Sequence, residues 1–410
     1  MHGDQDHTPL SLWSPLAARA FRFVWIAAAL SLAVVWMNDV GAAWAMKSLT
    51  SADPLMVALI QVATSVPVVF LVVPAGTLGD LLNRRHFLSW GVLVMLVSSI
   101  VLALGSAQGW LNPQLLLAVT LIGGAGKAIL LPGFAAAGAE LVGRDAMHAA
   151  VGLHSMANNV ARIVGPALAG AIIAVLSVSH LFVATAATLC VALAALAAAP
   201  GKSFRNPDVS GDGYMAALTQ GIRYCRQDPT FRGVFRRTVV FFFCAIAVHS
   251  LLPLLARDSR WLGFGWAAYG AGAIAGATLF GRTLRQRSPD NICTLGIALH
   301  ALALLALGTQ AGNVLRTATL GVAGFAWYHV VAAAQLSIQR AVPDALRSRG
   351  MAVFTMFMTA AFVAGAVTCG ALARYFGIDW TFWSLAAISL VVLVLTRESS
   401  MRGKAENSFH

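Results

Sequence analysis

The chain has 410 residues, of which 59% are hydrophobic and only 11% charged, with a mean hydropathy of +0.76. Soluble domains carry about 25% charged residues, so this chain has too little charge to cover an aqueous surface, and it is too apolar to be disordered. A net charge of +12 would suggest nucleic acid in a soluble protein. Here the basic residues fall in short clusters between apolar runs, with no basic stripe and no nucleic-acid-binding motif. The solvent implied is lipid, and no nucleic-acid partner is expected.

Six apolar runs come first, at 23–47, 55–78, 87–106, 115–137, 149–176 and 181–199. A polar stretch, 200–237, separates them from six more at 239–255, 263–284, 292–307, 315–338, 351–375 and 382–396. A helix needs about 20 apolar residues to cross the hydrocarbon. Nothing alternates at period two, as barrel strands would, so the runs are read as helices. The expected fold is therefore an all-α integral membrane protein of twelve transmembrane helices. Two six-helix bundles, 23–199 and 238–396, are flanked by tails at 1–22 and 397–410. Within the 200–237 linker, Leu218, Ile222 and Cys225 recur at helical spacing beside Arg223 and Arg226, which suggests a short amphipathic helix on the membrane face.

Charge placement orients the chain. With the N-terminus inside, 21 of the 28 Lys and Arg residues fall on the inner side and 5 on the outer, leaving Lys127 and Arg162 deep within spans. The positive-inside rule then puts both termini in the cytoplasm, as in a protein of the bacterial inner membrane. Signal-peptide cleavage near Ala43-Trp44-Ala45 would remove one span and break this alternation. The five cysteines are widely spaced and mostly inside apolar runs, as small hydrophobes would be, and neither a metal site nor a cofactor is expected.

The halves echo one another. Val142, Met156, Gly165 and Gly170 recur at one fixed offset as Val342, Met356, Gly365 and Gly370, each in or just before the fifth span of its half. Two related six-span halves are the arrangement of transporters that work about a midplane site.

Polar residues inside spans carry the functional argument, because they are costly in lipid and face the interior of a bundle. Asp39 is the one carboxylate well inside a span, and Lys127, in Gly123-Gly124-Ala125-Gly126-Lys127, is its natural partner. Burial favours the neutral acid and a nearby cation favours the carboxylate, which is the lever a proton-coupled step needs. Trp36, Asn38, Asn158, Asn159, Arg162, His249, His329 and Gln335 are expected to line a substrate cavity. Gating is expected at two places. After the second span, Gly76 and Gly79 permit close helix approach, Asp80 would hydrogen-bond across the inner rim, and Arg84 and Arg85 would snorkel to the headgroups. In the fifth span Pro166 lacks a backbone donor, so a kink between Gly165 and Gly170 is expected. No Walker loop, zinc-protease or serine-hydrolase motif is present, so the chain is not read as an enzyme.

The segment Gly76-Thr77-Leu78-Gly79-Asp80-Leu81-Leu82-Asn83-Arg84-Arg85 resembles the signature that follows helix two in the major facilitator superfamily, with Leu81 and Asn83 in place of the usual basic and glycine residues. Gly165-Pro166-Ala167-Leu168-Ala169-Gly170 resembles the antiporter-associated motif of helix five. The chain from Pro15 to Glu398 is similar to the enterobactin-exporter-like branch, through pieces such as Phe21-Arg22-Phe23-Val24-Trp25 and Val160-Ala161-Arg162-Ile163-Val164-Gly165-Pro166. The resemblance implies alternating access and export of a drug-like or siderophore-like compound by proton antiport, with Asp39 and Lys127 acting together. It implies as partners only a small-molecule substrate, protons and the lipid bilayer, with the monomer as the working unit. Proton-coupled import or lipid transport on the same fold, and passive conduction through a channel, are the alternatives.

Overall fold

The structure is a computed structural model that describes residues 13–142, 146–200, 229–309, 312–342 and 347–396. Among the described residues a 3-10 turn, Ser14–Ala17, leads into twelve α-helices. The first half comprises α1 (Arg19–Leu49), α2 (Pro54–Leu81), α3 (Arg84–Gln108), α4 (Pro113–Glu140), α5 (Met147–Val175) and α6 (Val178–Ala198). The second comprises α7 (Pro229–Leu255), α8 (Ser259–Gln286), α9 (Pro289–Leu307), α10 (Asn313–Ala341), α11 (Arg347–Phe376) and α12 (Ile378–Leu395). Each expected span falls on its own helix to within a cap residue. The linker residues expected to form an amphipathic helix lie outside the described residues.

Short polar residues set many of the helix starts. Asp53, Asn112 and Asp258 accept hydrogen bonds from the backbone amides of Leu55 (2.9 Å), Leu115 (2.9 Å) and Trp261 (2.7 Å), satisfying donors that a helix leaves unpaired. Proline follows the cap in α2, α4 and α9, where its missing amide costs nothing.

Helix packing repeats when the numbering is advanced by six. In the first half α1 packs on α5 and α6, α2 on α4, and α3 on α4 and α6; in the second α7 packs on α11 and α12, α8 on α10, and α9 on α10 and α12. The halves meet along two seams, α5 with α8 and α2 with α11, which that relation exchanges. The residues that recur in sequence sit at equivalent contacts. Gly170 abuts the backbone of Gly263 in α8, and Gly370 abuts Leu55 and Ala58 in α2. Gly165 and Gly365 bring their helices against α1 and α7 respectively.

Trp90, Val97, Ile100 and Leu104 on α3, Val183 and Val191 on α6, Leu295 and Leu302 on α9, and Val391 and Val394 on α12 are exposed, as surfaces bathed in lipid would be. Eleven helices are long and apolar enough to cross a membrane among the described residues. The exception, α8, is 28 residues long and therefore of sufficient reach. Glycines dilute its hydropathy, and they let it press on α5 and α10.

Two sequence expectations are corrected here. The second half begins earlier than residue 238, because α7 starts at Pro229. Arg236 and Arg237 ended the apolar run in sequence, but Arg237 is buried, donating to Asp290 (2.7 Å), to Thr396 Oγ1 (3.0 Å) and to the Thr396 carbonyl. Nor does Arg84 snorkel. It is 5% exposed and forms an ion pair with Glu140 of α4, while Arg85 donates to the Ala197 carbonyl of α6. Carboxylate and carbonyl acceptors on neighbouring helices hold these guanidiniums, so they need not reach for headgroups.

Candidate functional site

A cavity of about 350 Å³ lies between the halves, within the range of small-molecule sites. Its walls differ in chemistry. Among the described residues the first half contributes all the fixed charges, Asp39 from α1, Lys127 from α4 and Arg162 from α5, together with Trp36, Gln61, Ser65 and Asn158. The second half contributes Phe242 and His249 from α7, Trp327, Val331 and Gln335 from α10, and Phe354, Thr355, Met358, Thr359 and Phe362 from α11.

Asp39 is 7% exposed and borders three spaces at once. Besides the main cavity it lines a pocket of about 40 Å³ inside the first bundle, with Asn38, Thr64, Ser98, Thr120 and Lys127. It also lines a gap of about 10 Å³ with Gln61, Pro166, His249, Pro253 and Trp266. The 40 Å³ pocket has room and polar partners for water. Lys127 is the charge that acts on Asp39, yet among the described residues no ion pair within 4.0 Å joins them. Two glycines of α4 help to set the lysine. Gly124 lies against the carbonyls of Ala63 and Thr64, and Gly126 against Gly91 and Met95. A side chain at either would push α4 off α2 or α3.

The Arg162 guanidinium carbon sits 5.4 Å from the centre of the Trp36 ring, a cation–π distance. Its Nε is buried without a hydrogen-bond partner. Across the cavity the rings form a continuous face. Phe242 lies 5.1 Å from both Trp327 and Phe362, and those two are 5.6 Å apart, all edge-on. His249 is enclosed by Trp266 (5.3 Å), Tyr269 (5.4 Å) and Trp327 (5.4 Å).

Because each helix reverses the chain, the odd-numbered loops share the end opposite the termini. The halves are joined there. Lys47 Nζ donates to the Ala256 carbonyl, Arg374 faces Asp53 at 3.7 Å, and Gly170 meets Gly263. The main cavity extends the other way, toward Phe134 and Phe354.

Of the residues expected at a substrate cavity, Trp36, Asn158, Arg162, His249 and Gln335 line this one, with Asp39 and Lys127. Three expected residues do not. Asn38 turns into the first bundle and donates to Ser99 Oγ (3.0 Å). His329 packs among Phe325, Tyr328 and Phe280, and Asn159 is absent from the lining. A helix rotates about 100° per residue, so one or two positions from a lining residue suffice to leave the cavity. The α11 face was missed. Its signal lay in Phe354, Met358 and Phe362, spaced by four beside Thr355 and Thr359. At the gate, Gly79 is buried against Phe87 and Arg84, whereas the side-chain surroundings of Gly76 and Asp80 lie outside the described residues. Pro166 stands inside α5 and lines the small gap.

The family model described as "Transmembrane secretion effector" matches residues 10–409. An uncharacterized MFS-type transporter of Bacillus subtilis (strain 168), YfiS, is 24% identical over 367 residues, which is 84% of each chain. Among solved structures, a POT family transporter in complex with 5-aminolevulinic acid superposes with a TM-score of 0.76 at 12% identity, over 93% of this chain and 97% of that one. A D-xylose–proton symporter gives a TM-score of 0.72 at 13% identity, over 94% of this chain and all of that one. At such identities the likeness is one of fold.

Proposed function

The chain belongs to the transmembrane secretion effector family of the major facilitator superfamily, a multi-pass membrane transporter of a small molecule, and we propose that its driving ion is a proton carried by Asp39. The carrying observation is the placement of that carboxylate. It borders the main cavity, the polar pocket of the first bundle and the gap toward the end where the halves touch. A proton bound there neutralises the acid and frees Lys127. Losing the proton restores an attraction across the same space, so occupancy of the site by a proton and by solute become linked.

Alternating access follows from the two seams. The halves touch at the end opposite the termini, and the cavity extends toward the other end. With the termini in the cytoplasm, as the basic residues indicate, this is an inward-facing state. Rocking along α2–α11 and α5–α8 would open the end where the halves touch and close the other.

On direction, import with the proton moving alongside the solute draws support from solved structures of like fold, one described as a proton symporter. Export with the proton moving oppositely draws on the family description and on the Gly165–Gly170 motif. The deciding measurement is transport in proteoliposomes of known orientation, with a pH-sensitive dye trapped inside and a panel of solutes under an imposed pH gradient. Proton flux that depends on solute and disappears in Asp39→Asn supports the reading; solute flux indifferent to the gradient and to Asp39 overturns it. The sign of the proton flux separates import from export.

A further inference from the structure

Resting on the transporter reading above, we propose that the cavity selects aromatic anions, with a carboxylate or phenolate held by Arg162 and the ring laid against Trp327 and Phe362.

Charge is the first ground. Among the described residues three fixed charges line the cavity, two positive and one negative. One carboxylate can balance only one of the two cations, and Asp39 shares the pocket of the first bundle with Lys127 and not with Arg162, which leaves Arg162 over. Among the described residues no carboxylate lies within salt-bridge reach of Arg162, and its Nε has no hydrogen-bond partner. A guanidinium keeps its charge in proteins, and an uncompensated charge within a membrane span is costly. The Trp36 ring at 5.4 Å offsets part of that cost but supplies no counter-charge. An anionic ligand would.

Shape and surface chemistry are the second ground. A guanidinium presents a planar fork that carboxylates match with two hydrogen bonds. Among the described residues the opposite wall holds no fixed charge. There Phe242, Trp327 and Phe362 form an edge-on cluster with centroids 5.1–5.6 Å apart, and an aromatic solute can extend that cluster by the same offset or edge-on contacts. The volume of about 350 Å³ suits one or two fused rings with a polar substituent. A cationic drug would instead meet two like charges against one acid.

Calorimetric titration of the purified protein in lipid nanodiscs at pH 7 tests this with three probes of one shape: naphthalene-2-carboxylate, its neutral amide, and 2-naphthylmethylammonium. The carboxylate is expected to bind at least tenfold more tightly than the amide, and the ammonium most weakly. Arg162→Gln is expected to erase the gap between carboxylate and amide, and Arg162→Lys to keep part of it. The wild-type comparison stands even if a variant fails to fold. Equal or tighter binding of the amide or ammonium overturns the proposal, as does a carboxylate preference that survives in folded Arg162→Gln. Absence of binding by all three also overturns it. In that event solute-dependent proton flux with other compounds would still uphold the transporter reading, and loss of that flux as well would remove both.

Discussion

Asp39 and Lys127 line the same two cavities without closing into an ion pair within 4.0 Å. A tight pair would hold both charges in one geometry, whereas the open arrangement, on the mechanism proposed above, leaves the acid available to a proton.

Asp39→Asn should therefore abolish gradient-driven transport, by a hundredfold or more at equal protein content, while solute exchange in the absence of a gradient persists. Asparagine preserves shape but neither binds nor releases a proton. Paired assays of driven uptake and counterflow in proteoliposomes check this, and equal losses in both would point to a role in solute binding instead.

Lys127→Gln in the Asp39→Asn background should cost little beyond Asp39→Asn alone, because the partner has already been neutralised. Energies of residues acting as a unit are not additive. A double-mutant cycle on the rate of driven transport measures this, and independent additive losses would show that the two groups do not act on one another.

Gly170→Leu should part the halves at the end opposite the termini. A Cβ at position 170 already collides with the Gly263 backbone, and a leucine at that point forces α5 from α8. A cysteine replacing buried Ala43 then becomes reactive to a membrane-impermeant maleimide added from the side opposite the termini. Unchanged labelling would show that the seam is not what closes this end.

Arg237→Ala should destabilise the second bundle strongly. Removing one member of a buried charge pair costs about 3–5 kcal/mol, here toward the lower end because the Asp290 side chain is 20% exposed. Arg374→Ala, whose partner Asp53 lies 3.7 Å away at a half-exposed site, should cost no more than about 1 kcal/mol. Thermal unfolding in detergent ranks the two, and equal shifts would contradict the burial argument.

The helices were legible because lipid imposes one rule along the whole chain, and Gly170 and Gly370 carried the relation between halves into the sequence. Buried charges in the membrane identified Asp39, Lys127 and Arg162 for the same reason, since cost restricts where they can point. Neutral polar residues carry a weaker constraint. Asn38 and His329 found backbone or hydroxyl partners one or two positions from the cavity face, and nothing in the run of residues tells such partners from a ligand. The α11 wall carried only a weak signal, its spacing by four, because Phe, Met and Thr occur as freely on packed or lipid-facing surfaces. Arg84 and Arg237 were misread because their partners, Glu140 and Asp290, lie 56 and 53 residues away in the chain.

The meeting of Gly170 with Gly263 has a mechanical meaning. At this point bare main chain meets bare main chain, with no side chain interlocked between the two helices. Such a joint is close when shut and presents no side-chain obstacle where it parts, which suits a carrier that opens at this end.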